Sequence, residues 1–135
     1  MQRHKIFDHV CSRRDDNPDP SQTVIAFHAP ELCLPAFSLR PKKTHDKIAT
    51  WFGYREITFA GYPGFRQHYL LRGSDEAAIR KLFDEEVVAF FDGYVGVSVE
   101  GNDSLLIFYR ADERVPPERL HAFLEDGFRI LALFR

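Results

Sequence analysis

The sequence contains little that marks an exported, membrane-spanning or nucleic-acid-binding protein. Its two cysteines, Cys11 and Cys33, form no CxxC pair and are too few for a disulfide framework. The N-terminus lacks the run of roughly 7 to 15 apolar residues of a secretory signal. The late apolar stretch at 130–134 is far shorter than the roughly 20 residues that span a bilayer. We therefore expect a protein of the cytoplasm or of the cytoplasmic face of a membrane.

The chain also lacks an excess of charge of either sign, because the acidic and basic residues nearly balance at a net charge of -2. A positive electrostatic potential that would attract phosphate groups is therefore not expected, and we predict no nucleic-acid partner. Neither GxGxxG nor GxxxxGK[ST] occurs, so no familiar backbone cradle for phosphate is present. We predict no cofactor and assign no cofactor-binding residue.

No catalytic signature surrounds the nucleophiles of the chain. Cys11 or Ser98 could pair with His68 or His121, but neither a GxSxG elbow nor a cysteine-protease motif accompanies them. His121 is interpreted as an exposed helix residue, and His68 as a residue on one face of a strand with alternating side chains. We assign no catalytic residue.

Metal ligation is the strongest chemical alternative that the six histidines offer. Four possible ligands lie on or beside the first two predicted strands: His9, Cys11, His28 and Cys33. Their spacing matches no zinc pattern. A hairpin that turns near Pro18 would place His9 roughly opposite Phe27 and leave Cys33 beyond the strand end. We therefore predict folding without metal and assign no metal ligand.

Three charged segments have simpler structural explanations. Carboxylates favour helix starts, which accounts for the acidic run 84–86. The segment 100–103 lacks the further ligands of a calcium loop and is interpreted as a turn. A local basic group, interpreted as a solvated edge rather than a lipid or protein contact, consists of Arg3, Arg13, Arg14, Lys42 and Lys43.

The composition that remains, with 44% hydrophobic residues and 13 Phe, is sufficient for one core, so we expect a single α+β domain over residues 1–135. Strands are predicted at 5–11 and 23–28 as a hairpin, at 37–40 as a short strand near a sheet edge between Pro35 and Pro41, at 57–59 and at 65–72. Alternation predicts a further hairpin from Val95, Val97 and Val99 to 105–109. The sheet is expected to be mainly antiparallel.

Helices are predicted by apolar spacing and by capping residues. A brief helix is expected around Ile48 to Gly53, a second capped by Ser74 or Asp75, and a third capped by Asp84. A C-terminal helix from Pro116 or Pro117 should cover the sheet that carries Val97, Val99 and Ile107. Its apolar stripe consists of Leu120, Phe123, Leu124, Phe128 and Leu131.

The segments 34–41, 62–73 and 97–109 together resemble a bacterial family of domain-of-unknown-function proteins. The likeness extends over most of the chain, and it implies the fold but no activity. Members of that family often carry an N-terminal membrane-anchoring segment and additional strands. The resemblance therefore implies either a shortened relative or a chain that lacks native N-terminal elements, with membrane tethering in longer relatives.

The function expected from these observations is a non-enzymatic binding or protein-interaction module. The alternative is an enzyme whose His, Asp or Glu site is not marked by any sequence motif. The partner is left open between a protein and a small molecule, and a homo-oligomer is a further alternative. A deep pocket with convergent titratable groups would favour the enzyme, whereas a flat apolar patch would favour the module.

Overall fold

A computed structural model describes residues 5–11, 22–42, 55–110 and 115–135, with side chains from Thr23 onward. Within these ranges the chain forms one antiparallel sheet and helices, which confirms the predicted α+β class. The elements are β1 (Lys5–Cys11), β2 (Gln22–His28), β3 (Leu34–Pro41), α1 (Pro63–His68), β4 (Tyr69–Gly73), α2 (Glu76–Leu82), α3 (Glu85–Gly93), β5 (Ser98–Asp103), β6 (Leu105–Tyr109) and α4 (Pro117–Leu133). No helix in these ranges is long and apolar enough to cross a membrane.

The sheet has the order β1-β2-β6-β5-β3-β4, and each neighbouring pair is antiparallel. The predicted hairpins β1–β2 and β5–β6 are both confirmed. The second hairpin lies in the middle of the sheet, between strands β2 and β3, which follow each other in sequence. Its turn falls at Asp103 and Ser104, because Asn102 pairs with Leu105 and Asp103 has a φ of 56°.

One face of the sheet carries the apolar core. Residues directly opposite each other share a face, and a single fully buried row crosses five strands: Ile25, Phe108, Val99, Leu39 and Leu71. In the adjoining row, Gly101 and Gly73 lie on either side of Phe37. A Cβ at Gly101 would lie 2.4 Å from the Phe37 ring, so glycine makes room for that ring.

Helix α4 covers this face through Phe123, whose ring lies 4.7 Å from the ring of Phe108. Gly127 lets the helix approach closely, since a Cβ there would lie 3.2 Å from Phe27. Phe128 was predicted within the buried stripe, yet it remains 43% exposed beside Phe27. The buried side of the helix instead continues through Ile130 and Leu131.

The prediction for Ile107 is also wrong. It pairs with Ala26 and Glu100, so it lies on the face opposite to Phe108. Alternation along β6 places Leu106 and Phe108 under the helices instead. We call the face of Ala26, Ile107 and Glu100 the open face.

Two strand predictions need correction. Strand β3 spans eight residues rather than the four predicted, and it lies near the edge of the sheet as expected, between β5 and the edge strand β4. Pro35 is accommodated where the pairing shifts register between Leu34 and Phe37, and Pro41 ends the strand. The expected strand 65–72 begins instead as helix α1, with Pro63 in its first turn, and only β4 is extended.

The predicted N-caps of helices α2 and α3 are confirmed. Asp75 accepts a hydrogen bond from the Ala78 amide at 3.1 Å, and Asp84 accepts one from the Val87 amide at 3.0 Å. The segment 57–59 forms no regular strand, although the Ile57 amide donates to the Leu71 carbonyl at 2.8 Å. The helix predicted around Ile48 lies outside the described residues.

Candidate binding surface on the open sheet face

The open face carries polar and apolar side chains in adjacent rows. One row, fixed by the strand registers, consists of Ala26, Ile107, Glu100, Ser38 and Arg72. Arg40 and Tyr109 extend from the same face, two residues along their strands from Ser38 and Ile107. The register therefore brings together polar groups from the central strands β3, β5 and β6.

Glu100 is the centre of a polar network on this face. Its Oε2 accepts hydrogen bonds from Arg40 Nη2 at 3.0 Å and from the Tyr109 hydroxyl at 2.6 Å. Arg40 Nε in turn donates to Ser38 Oγ at 3.0 Å. Ser38, Arg40 and Tyr109 are buried, so these hydrogen bonds are shielded from competing water. We call Ser38, Arg40, Glu100 and Tyr109 the Glu100 network.

The environment of Tyr109 keeps its hydroxyl protonated. Burial raises the pKa of Tyr109 far above its usual value, and the Glu100 carboxylate raises it further, whereas Arg40 partly opposes the shift. Among the described residues the buried Ser98 Oγ has no hydrogen-bond partner, and its proximity to Tyr109 opposes the rise of the Tyr109 pKa without cancelling it. Tyr109 therefore acts as a hydrogen-bond donor to Glu100.

Beside this network lies a shallow groove of about 240 Å³. Its walls are formed by Ala36, Glu100, Asn102, Leu105 and Ile107, with Phe37 and Gly101 completing the lining. Leu105 is 37% exposed, which is large for a leucine in a strand. We call this feature the open-face groove. It combines an apolar surface with one carboxylate and one side-chain amide.

Two further depressions have different linings. One of about 350 Å³ is bordered by Pro41, Gln67, His68 and Val95, which is 47% exposed. Another of about 200 Å³ lies beside the start of α4, near Arg110 and Arg119. In the described part of the chain, no three or more His, Cys, Asp or Glu side chains are grouped so that they could hold a metal ion.

A separate tyrosine network lies at the helix-covered side. The Tyr94 hydroxyl donates to Asp126 Oδ2 on α4 at 2.8 Å, and Arg110 Nη2 donates to the Tyr94 hydroxyl at 3.2 Å. The Tyr69 hydroxyl donates to the Tyr94 carbonyl. Burial is the main reason that the pKa values of Tyr69 and Tyr94 are both raised to about 12. These contacts link the segment after α3 to helix α4.

The β1–β2 register places the candidate metal ligands differently from the prediction. His9 lies opposite Val24, whereas Phe27 lies opposite Ile6, so the predicted register was wrong by three residues on β2. His28 is exposed, with its Nε2 3.0 Å from Ser104 Oγ.

The reactive residues show no catalytic pairing in the described structure. Cys33 has a free, exposed thiol, while the side chains of His9 and Cys11 lie outside the description. The prediction for His121 is confirmed: it lies exposed on α4, with its Nε2 2.9 Å from Glu125 Oε1. Ser98 hydrogen-bonds to neither His68 nor His121.

Of the three charged segments, the acidic run has the structural role that was expected. Asp84 caps α3, as predicted for the acidic run. Lys42 forms an ion pair with Glu56 at 3.0 Å, and the other members of the predicted basic group lie outside the described residues. Glu100 and Asn102 belong to β5 rather than to a turn.

Sequence reasoning missed the Glu100 network and the open-face groove. The available signal was alternation: Ser38 and Arg40 alternate with buried Leu39, and Glu100 alternates with buried Val99. That pattern indicates a second, polar face of the sheet, but it does not show which strands are neighbours.

No model of a known protein family matches this chain, and no curated protein or solved structure matches it either.

Proposed function

We propose that the protein is a non-enzymatic interaction module that binds a protein partner through the open-face groove. The observation that carries this proposal is the exposure of Leu105 beside the half-buried Ile107 and the Glu100 carboxylate. An apolar surface with a polar margin is typical of a protein-binding site. At about 240 Å³, the groove is smaller than the roughly 300 to 1,000 Å³ of most small-molecule pockets. Its size therefore favours a protein segment.

The chemistry of the groove also favours binding over catalysis. Glu100 is the titratable side chain among the residues that line it, and Arg40 and Tyr109 hold its Oε2. An enzymatic site of the predicted His, Asp or Glu type needs a second convergent group within reach of a substrate. The lining supplies instead the side chains of Ala36, Asn102 and Leu105. These suit contact and orientation of a partner.

The proposal can be tested by selecting peptides from a random 12-residue display library against the wild-type protein. We expect the enriched peptides to lose about tenfold or more in affinity for Leu105→Glu, which is about 1.4 kcal/mol. Val95→Glu is the matched control, because Val95 is likewise an exposed apolar residue but lines a different depression. Unchanged urea midpoints would show that both variants are folded.

Enriched peptides that bind wild-type protein and Leu105→Glu equally would contradict the proposal, as would failure to enrich any peptide. Sedimentation of the three proteins addresses the homo-oligomer alternative. A wild-type dimer that Leu105→Glu alone dissociates would identify a second copy of this chain as the partner.

A further inference from the structure

The two carboxylate oxygens of Glu100 have different surroundings. Both hydrogen bonds to this group, from Arg40 and from Tyr109, end on Oε2. Within the described structure, no hydrogen bond ends on Oε1. The Glu100 side chain remains 31% exposed and forms part of the groove wall. The groove therefore has a carboxylate oxygen with unused acceptor capacity beside its apolar surface.

The charge around the groove distinguishes between possible partners. Glu100 is the charged residue of the lining, and Asp103 is exposed next to lining residue Asn102. Two cations lie on the same face: Arg40, which is buried and bonded to the other oxygen of Glu100, and Arg72, which lies beyond Ser38 and outside the groove lining. An anionic group in the groove would face the Glu100 carboxylate, whereas a cationic donor would complement it.

We infer that the partner segment places a basic side chain against Glu100 Oε1 and an adjacent large apolar side chain against Leu105 and Ile107. This inference rests on the proposed function and adds to it the chemistry of the partner. The apolar contact supplies affinity through burial, and the charge-assisted hydrogen bond selects the residue beside it. The segment is then hydrophobic and basic rather than hydrophobic and acidic.

Three synthetic nine-residue peptides test this inference. They have acetylated and amidated ends, share a Gly/Ser framework, and differ only in a central Leu-Lys, Leu-Glu or Ser-Lys pair. Each is titrated to millimolar concentration into protein with labelled methyl groups, and the signals of Leu105 and Ile107 are followed. We expect Leu-Lys to shift these signals and to bind at least about fivefold more tightly than either other peptide.

Glu100→Gln is the decisive variant, because the amide oxygen can still accept hydrogen bonds from Arg40 and Tyr109 while the negative charge is lost. We expect it to reduce the preference for Leu-Lys over Leu-Glu to less than about twofold. Asp103→Asn is the matched control for general charge, and it should retain most of the preference. Urea midpoints show whether each variant is folded.

Equal binding of the Leu-Lys and Leu-Glu peptides would overturn this inference, as would a preference that survives Glu100→Gln. Failure of all three peptides to shift the Leu105 and Ile107 signals would also overturn it. None of these results decides the proposed function, which depends on whether library-selected peptides require Leu105.

Discussion

The two faces of the central sheet differ in what their side chains do. On the helix-covered face, a row from Ile25 to Leu71 is entirely apolar and fully buried. On the open face, the neighbouring row contains Glu100, Ser38 and Arg72. Burial of apolar surface is non-directional, whereas hydrogen bonds require particular partners at particular distances. The first face therefore supplies most of the stability, and the second carries the polar groups on which the proposed binding depends.

The largest expected difference is between two phenylalanines on α4. Phe123→Ala should lower the free energy of unfolding by about 3–5 kcal/mol, because it removes a buried ring that stacks on Phe108 and leaves a cavity. Phe128→Ala should cost only about 1 kcal/mol, because much of its ring already contacts solvent. Urea denaturation of both variants measures the two costs.

An equal cost for Phe123→Ala and Phe128→Ala would contradict the assignment of the core. If the Phe123 ring instead served a partner, its removal would leave the urea midpoint of the monomer unchanged and weaken self-association.

A smaller effect is expected where helix α2 approaches the covered face. A Cβ at Gly73 would lie 2.2 Å from Ile79 Cδ1 and 2.6 Å from the Ala36 carbonyl oxygen. The Ile79 side chain can move, but the backbone of β3 cannot move without disturbing the sheet. Gly73→Ala should therefore destabilise the protein by about 1–3 kcal/mol, measured from the urea midpoint.

Gly93→Ala is the matched control, because a Cβ there meets nothing within 4 Å and Gly93 ends helix α3. It should be neutral or stabilising by up to about 1 kcal/mol. A loss of stability at Gly93 as large as that at Gly73 would contradict close packing as the reason for the glycine at 73.

A pH-dependent effect should be a loss of stability in alkali. The pKa values of Tyr69 and Tyr94 are raised from 10.0 to about 12, so the folded protein holds these protons more tightly than the unfolded chain. Their contribution is complete below pH 10 and is lost as the pH rises from 10 towards 12. The urea midpoint should fall across that window, with a shallower slope in Tyr94→Phe. A midpoint that stays constant from pH 9 to pH 11.5 would contradict the predicted dependence.

Local signals in the sequence predicted the parts of the fold that depend on neighbouring residues. The caps at Asp75 and Asp84 each involve an amide only three residues away, so composition and spacing were enough. Helix α1 was missed because its aromatic and polar residues are compatible with a strand. The first turn of helix α1 is held partly by Asp92, whose Oδ1 accepts a hydrogen bond from the Phe65 amide 27 residues earlier.

The candidate site depends on contacts that no local pattern contains. Arg40 and Glu100 are 60 residues apart in sequence, and they meet because β5 pairs with β3 in a register that includes a shift after Leu34. Changing that register by one residue would move Glu100 to the helix-covered face. The sequence could indicate that each strand has a polar side, but not that these two polar sides adjoin.

The strand order also sets the sequence of events during synthesis. Strands β2 and β3 are consecutive along the chain, but the β5–β6 hairpin separates them in the sheet. When the ribosome has made β1 to β4, the native pairs available to these strands are β1–β2 and β3–β4. Each pair then has an inner edge whose backbone groups lack the neighbour that they will later bind. These two edges with unpaired backbone groups therefore stay exposed until the final third of the chain, which contains β5 and β6, has been synthesised. During that interval a chaperone or an incorrectly paired strand can bind them.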